Sequence, residues 1–229
     1  MSHFARALKA LAACAVLFAP ALATPAAAET MKFRLVTLGA KACGNNCPRV
    51  IAAEGEIDEG TPEAFGAFVK ANVGDKRVKN VMFIHSAGGR VVSALKLGLA
   101  LRQFGTSVVV ARVREGVSDD PNGQFGTARC MSACVYVLIG GKKRVIPPQS
   151  QVGIHRMFRE ETGKDPANEA PGYRQSFASG SMVDVLSRYT GSMGVSRELI
   201  LEAEKVSPES LHIVTPKEMV KWRLGSPKF

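Results

Sequence analysis

The sequence predicts an α/β fold with a mostly parallel sheet. Short runs rich in β-branched residues alternate with amphipathic helical segments, and the connections between them are short. Strands are predicted at residues 33–38, 50–57, 78–85, 106–112, 143–146 and 152–157. Helices are predicted at residues 61–72, 88–104, 131–139, 173–193, 196–206 and 215–223, and polar loops at 114–128 and 158–172.

Three of these helices carry recognisable end signals. Thr61 and Thr215 are each followed by a proline and, within the first turn, by a glutamate, which is typical of a helix N-terminus. Gly105 follows the second predicted helix and is typical of a C-terminal cap.

Residues 1–28 have the features of a secretory signal peptide. Arg6 and Lys9 precede an almost wholly apolar run at 10–23, and small residues offer cleavage after Ala23 or Ala28. The apolar run is shorter than the roughly 20 residues that span a bilayer, so a retained membrane anchor is the less favoured interpretation. The segment around Cys14 resembles a lipobox, but the apolar run continues well past it.

The prediction is therefore a periplasmic or secreted protein with a bacterial type of signal peptide and a single domain at residues 29–229. The formal net charge is +10, but the cationic residues are scattered and their densest clusters contain no interleaved aromatic residues. This pattern argues against nucleic-acid binding. It favours a solvated basic surface, such as one that faces anionic membrane lipid.

The five cysteines become two local pairs once Cys14 is removed with the signal peptide. Cys43 and Cys47 flank a flexible stretch, and Cys130 and Cys134 are one helical turn apart. In an oxidising compartment both pairs are candidate disulfides, although the second pair also suits small buried packing residues. A zinc site made from all four is a further alternative, but the spacing within each pair is wider than usual, so no metal is expected.

Ser132 lies at the start of an apolar predicted helix, among small residues. Its hydroxyl would lie at the positive end of that helix, beside unpaired backbone N–H groups that favour a nucleophile and an oxyanion. The alternative interpretation is an ordinary N-cap serine.

His155 follows alternating apolar residues in a predicted strand, and it is one of only four histidines in the chain. It is a candidate general base, although a structural histidine would fit the same pattern. Gly88 and Gly89 follow another strand and open a helix, where the backbone can approach a ligand closely. A phosphate-binding loop is disfavoured because no Gly-Lys-Ser/Thr follows.

Four segments together resemble the Clp-type serine peptidases. They are the strand–Gly-Gly–helix segment at 84–104, the nucleophile segment at 128–141, the His-bearing strand at 152–156 and the C-terminal helix at 215–224. The resemblance covers roughly residues 50–224, and is strongest to secreted, cysteine-flanked proteins of the ClpP/crotonase fold.

The resemblance implies a ClpP/crotonase-like repeated ββα superhelix with a helical arm at about 173–206, through which family members associate as homo-oligomers. It implies Ser132 as nucleophile and His155 as base, and N–H groups of Gly89 and Ala133, assisted by Gly88, as oxyanion hole. The family has an aspartate as third member, and Glu209 is the nearest acid in that region of this chain. An extended peptide or protein substrate would pair with the edge near 88–91.

The predicted function is an extracytoplasmic, ATP-independent serine peptidase without a cofactor or an ATPase partner. A catalytically weak or inactive binding module for extended peptides is the main alternative. A crotonase-like CoA enzyme is disfavoured because it would not need Ser132 and His155 together. A Ser/Lys peptidase is disfavoured because Lys142 and Lys143 lie beyond the end of the nucleophile helix.

Overall fold

A computed structural model describes residues 29–39, 43, 46–113, 125–164 and 171–228. The predicted signal peptide and most of the predicted loop at 114–128 lie outside these residues. The strands are β1 Lys32–Thr37, β2 Arg49–Glu54, β3 Val78–His85, β4 Ser107–Val109, β5 Arg112–Val113, β6 Phe125–Gly126, β7 Arg129–Met131, β8 Arg144–Val145, β9 Gln151–Ile154, β10 Phe158–Lys164, β11 Pro171–Phe177 and β12 His212–Ile213. The helices are α1 Thr61–Asn72, α2 Val91–Phe104, α3 Cys134–Gly140, α4 Gly180–Ser192, α5 Glu198–Ala203 and α6 Pro216–Lys221.

Two sheets carry the architecture. The larger has the order β1-β2-β3-β4-β8, and only its first pair is antiparallel. The smaller has the order β12-β9-β7, in which β7 and β9 are parallel. An isolated bridge between Ser86 and Cys130 connects the end of β3 to β7. The predicted α/β alternation around a mostly parallel sheet is thus confirmed.

Side chains on the two faces of the larger sheet belong to two separate apolar clusters. Successive residues of a strand point to opposite faces, and Ile51 and Ala53 enter one cluster while Val50 and Ala52 enter the other. The first cluster is the main core, which includes residues of α1, α2 and α3. Burial of this face positions α3, whose N-terminal end follows Ser132.

Helices α2 and α3 pack closely where two glycines meet. A side chain at Gly140 would come within 2.3 Å of the carbonyl oxygen of Gly98. Tyr189 packs beside this contact, and its hydroxyl donates a hydrogen bond to the carbonyl of Tyr136 at 2.7 Å. The absence of side chains at this contact lets α3 lie against α2 with its first residue beside β7.

The C-terminal helix confirms the capping pattern predicted for it. Thr215 accepts a hydrogen bond from the N–H of Glu218, and the Glu218 carboxylate accepts one from the N–H of Thr215. The Glu218 carboxylate also lies 2.9 Å from Nε2 of His212. Among the described residues, no helix is long and apolar enough to cross a membrane.

The structure corrects two element assignments, one at the start of the predicted arm and one in the loop predicted just before it. Residues 171–177, of which 173–177 were predicted as helix, form β11, and β10 replaces much of the loop predicted at 158–172. The two strands pair antiparallel from Phe158 opposite Phe177 to Lys164 opposite Pro171. Pairing between chain segments overrides the weak local preference here, and helix begins only at Gly180.

Candidate active site

Ser132 lies in the turn between β7 and α3, and not within the helix. Its φ angle is 54°, a left-handed conformation that few residues other than glycine adopt. Such a conformation costs about 1–3 kcal/mol and persists only when its surroundings impose it. Two hydrogen bonds hold it, because the Ser132 N–H donates to Gly153 at 2.8 Å and its carbonyl accepts from Val135 at 3.0 Å.

A disulfide spans the same turn. Cys130 in β7 and Cys134 at the start of α3 are bonded, with their Cα atoms 5.2 Å apart and both residues fully buried. Cys43 and Cys47 form a second disulfide, with Cα atoms 5.0 Å apart. All four sulfur atoms are therefore used, which removes the zinc alternative.

His155 comes directly after β9, the strand that pairs with β7. The register places Met131 opposite Gly153, so Ser132 and His155 leave neighbouring parallel strands at the same end. Both side chains line one cavity of about 280 Å³. The parallel pairing is therefore what brings together two residues that are 23 positions apart in the chain.

The imidazole of His155 is oriented by a backbone carbonyl. Its Nδ1 atom lies 2.8 Å from the carbonyl oxygen of Arg156. Because a carbonyl can only accept, Nδ1 carries the proton and Nε2 keeps the lone pair that a general base needs. Within the described part of the chain, the Ser132 hydroxyl makes no hydrogen bond to His155; such bonds are often long in the absence of substrate.

Glu209 is not among the described residues that line the cavity of Ser132 and His155. It is exposed, and its carboxylate accepts a hydrogen bond from the Ser207 hydroxyl. The acid next to the His-bearing segment is Glu204, which lies 3.4 Å from Nε of Arg156 and accepts from the N–H of Met157 at 3.4 Å. The role of Glu209 as third member stays a prediction.

Sequence reasoning missed Glu204 because its position at the end of α5 has no distinguishing local pattern. Its contacts are to the segment that follows His155, and that segment's carbonyl orients the ring. Among the described residues, Glu204 thus contacts Arg156 and Met157 of that segment and makes no hydrogen bond or ion pair with the ring itself.

Gly88 brings the end of β3 against the nucleophile turn. Its φ angle is 112°, and an added Cβ would lie 2.8 Å from Cβ of Ser132 and 3.1 Å from the nitrogen of Ala133. Its own N–H donates to the Ser86 hydroxyl at 3.1 Å, so Gly88 contributes close approach rather than a free donor.

The backbone N–H groups of Gly89 and Ala133 are available as donors. Both residues line the same cavity as Ser132. Among the residues that the structure describes, neither N–H has an acceptor, since the bonds at this crossing run from Ile57 to Gly88 and from Arg90 to Ile57. Two such donors beside a nucleophile are the elements of an oxyanion hole.

The rest of the cavity is apolar. Its walls include aliphatic and aromatic side chains from five parts of the chain: Val91, Val135, Tyr136, Ile154, Met157 and Leu199. Burial raises the pKa of Tyr136 far above its ordinary value, so this phenol stays neutral. The site suits an apolar group next to a polar reacting atom.

Comparison with known proteins gives a match in structure only. No protein-family model matches this chain, and no curated protein matches it in sequence. A mutant of the 1510-N membrane-bound stomatin-specific protease superposes with a TM-score of 0.51 at 16% identity, covering 76% of this chain and 74% of that one. A second mutant of that protease, in complex with a substrate peptide, has a TM-score of 0.49 at 16% identity over 76% and 71% of the two chains.

ClpP1 from Listeria monocytogenes has a TM-score of 0.45 at 15% identity, covering 74% of this chain and 84% of that one. At these identities the likeness concerns the fold. The chain has a mixed α/β fold of the ClpP/crotonase-like type, as the sequence predicted.

Proposed function

We propose that this chain is a serine peptidase that acts outside the cytoplasm without ATP. The observation that carries the proposal is the nucleophile turn: Ser132 has a left-handed backbone and shares a cavity with His155 and two free N–H donors. The protease-like fold supports the proposal. The predicted signal peptide and two disulfides favour an oxidising compartment, where ATP and an unfoldase are not expected.

The chemistry follows from the positions of these groups. The Ser132 oxygen attacks the peptide carbonyl carbon while Nε2 of His155 takes the hydroxyl proton. The carbonyl oxygen becomes an oxyanion that the N–H groups of Gly89 and Ala133 stabilise. When the C–N bond breaks, His155 returns the proton to the leaving amine, and water, activated by the same imidazole, then hydrolyses the acyl ester.

The substrate we propose is an extended peptide with a medium-sized apolar residue at the scissile bond. The apolar walls of the cavity would bury that side chain, and the edge near Gly89 would pair with the peptide backbone. No metal or cofactor enters this scheme.

The test is labelling of the purified mature protein with a fluorophosphonate probe between about pH 6 and pH 9, which spans the neutral range of a histidine. We expect labelling that Ser132→Ala abolishes and Ser107→Ala leaves intact, because Ser107 is a half-buried serine of β4 away from the cavity. No labelling at any pH would refute the peptidase.

A peptide-binding module is the second candidate. The observation in its favour is that no hydrogen bond joins Ser132 to His155 among the described residues, and Nδ1 of His155 contacts the Arg156 carbonyl. This candidate predicts that an extended peptide binds while the fluorophosphonate does not react.

We also propose self-association through residues 173–206. Within this arm Phe177, Val185 and Leu201 expose 46%, 39% and 54% of their surface. Sedimentation of the purified mature protein should give a mass above that of its monomer, and Leu201→Asp should reduce it. A monomer at all concentrations would contradict the association.

A further inference from the structure

A second cavity, of about 720 Å³, adjoins the one that contains Ser132. Ala87 lines both cavities, and Met131, immediately before Ser132, lines the second. Its polar walls include His85, Arg112, Arg129, Gln149 and Gln151. None of its described lining residues is acidic.

The two arginines are incompletely neutralised. The Arg112 guanidinium is half exposed and lies 3.5 Å from the Glu54 carboxylate, which is also 3.5 Å from Arg34. In the described part of the chain, the Arg129 guanidinium has neither a hydrogen bond nor an ion pair. The described lining of the cavity holds these two arginines and no acidic residue, and Glu54 pairs with Arg112 alone of the two, so the cavity carries excess positive charge.

His85 adds a neutral donor to this cavity. Its Nδ1 accepts the N–H of Arg129 at 3.0 Å, so the neutral ring carries its proton on Nε2. Burial lowers the pKa of His85, the nearby charge of Arg112 lowers it further, and Glu54 only partly opposes the shift. At neutral pH the ring is a hydrogen-bond donor and not a competing acceptor.

The distance from this cavity to Ser132 determines which residue of a bound peptide the cavity would recognise. Arg129, Cys130 and Met131 form the extended strand β7 directly before Ser132. Three extended residues span about 10 Å, and a bound peptide advances about 3.3 Å per residue. The charge thus lies two or three substrate residues from the scissile bond.

We propose that the cavity around His85, Arg112 and Arg129 binds a carboxylate of the peptide substrate, two or three residues from the scissile bond. This proposal rests on the proposed peptidase function and specifies its substrate class. A guanidinium pair recognises an aspartate or glutamate side chain and a C-terminal carboxylate by the same charge-assisted hydrogen bonds. The sequence separation of the arginines, one in β5 and one in β7, explains why no local motif indicated the site.

The test is peptide binding to the Ser132→Ala protein, followed by fluorescence anisotropy at low salt. The probes are alanine-based nonapeptides with one central leucine, a fluorophore at the N-terminus, and glutamate or glutamine at each flanking position in turn. A second pair of peptides carries glutamine at the flanking position and ends two residues after the leucine. One member of this pair ends in a free carboxylate and the other in an amide. The first series detects a side-chain carboxylate and the second a terminal one.

We expect one of the two carboxylates to tighten binding about three- to tenfold over its neutral counterpart, and the gain to fall as salt screens the charges. Arg112→Gln with Arg129→Gln should remove that difference. Lys142→Gln with Lys143→Gln is the matched control, because it removes the same charge from two exposed residues outside the cavity. Should the double arginine variant not fold, each single replacement is measured in its place.

Equal affinity for every charged and neutral pair would overturn the carboxylate site. The same conclusion follows if the lysine variant loses the preference as fully as the arginine variant. Fluorophosphonate labelling without any preference would keep the peptidase and reject the cavity. A preference without labelling would keep the cavity and reject the peptidase.

Discussion

The disulfide that spans the nucleophile turn should affect the reactivity of Ser132 as well as the stability of the fold. We consider Cys130→Ala with Cys134→Ala, which removes the bridge between β7 and α3. For a closed loop of this length the loss of chain-entropy stabilisation is about 2 kcal/mol. The left-handed backbone of Ser132 costs a further 1–3 kcal/mol, roughly, and this strain is released once the turn is free to leave that conformation.

These magnitudes give a specific expectation. Without the bridge, Ser132 can relax to a negative φ angle, so the reactive turn becomes a minority conformation. Relief of about 1.4 kcal/mol corresponds to a tenfold smaller population and a tenfold slower reaction with a fluorophosphonate. The labelling rate and the urea midpoint are measured on the same preparation.

Cys43→Ala with Cys47→Ala is the matched control. That disulfide has the same sequence separation of four, so its loss of loop entropy is similar, but neither residue lines the Ser132 cavity. The control should lose stability and keep its labelling rate. Labelling of the Cys130/Cys134 variant within twofold of the wild-type protein would refute the reasoning, since the backbone bonds to Gly153 and Val135 would then suffice to hold the turn.

Three further predictions concern single residues. Gly88→Ala should abolish labelling, because the added Cβ would lie 2.8 Å from Cβ of Ser132 in the nucleophile turn. Gly194→Ala, with φ 79° but open space around it, should cost only about 1–2 kcal/mol of stability. Equal labelling of the two variants would contradict this expectation. Tyr189→Phe loses a buried hydrogen bond and should lower the free energy of unfolding by about 1–2 kcal/mol in urea titration, and an unchanged midpoint would argue against that bond. Burial opposes a low pKa at Glu218, but hydrogen bonds from the N-cap and His212 hold the pKa below its ordinary value. This contribution is present above the unfolded pKa and is lost as pH falls through the folded one. Glu218→Gln should therefore lower Tm at pH 7, and the gap should close as the pH falls through the folded pKa of Glu218. A gap that stays constant through the acidic range would refute the linkage.

Signals that depend on neighbouring residues were readable from the sequence. The capping box of α6, the glycine pair after β3 and the two cysteine pairs all depend on residues a few positions apart. The strand–helix order and the apolar pattern were enough to predict an α/β fold, and the ClpP/crotonase-like type came from the resemblance of four segments to the Clp-type peptidases.

Features set by contacts between distant segments were not readable. Ser132 was expected at the start of a helix, because the apolar pattern runs continuously from 131 to 139. Its left-handed turn lies where a hydrogen bond to Gly153 and the pairing of β7 with β9 constrain the chain, and both contacts involve a distant segment. The β10–β11 hairpin and the Arg112–Arg129 cavity likewise depend on partners far away in the chain.

In a Ser–His–acid triad one carboxylate both orients the histidine and stabilises the imidazolium. In this site a backbone carbonyl orients His155, and the two tasks are separate. The Arg156 carbonyl fixes the tautomer and the ring, but it is uncharged and stabilises the imidazolium less than an acid would. Glu204 carries charge next to this segment, yet its contact with Arg156 neutralises a cation and does not reach the ring. The site therefore relies on geometry: a constrained serine, an oriented imidazole and two preorganised N–H donors. For the proposed peptidase, such an arrangement favours slow cleavage of a well-positioned substrate, and the carboxylate that we propose in the adjoining cationic cavity is one way to obtain that positioning.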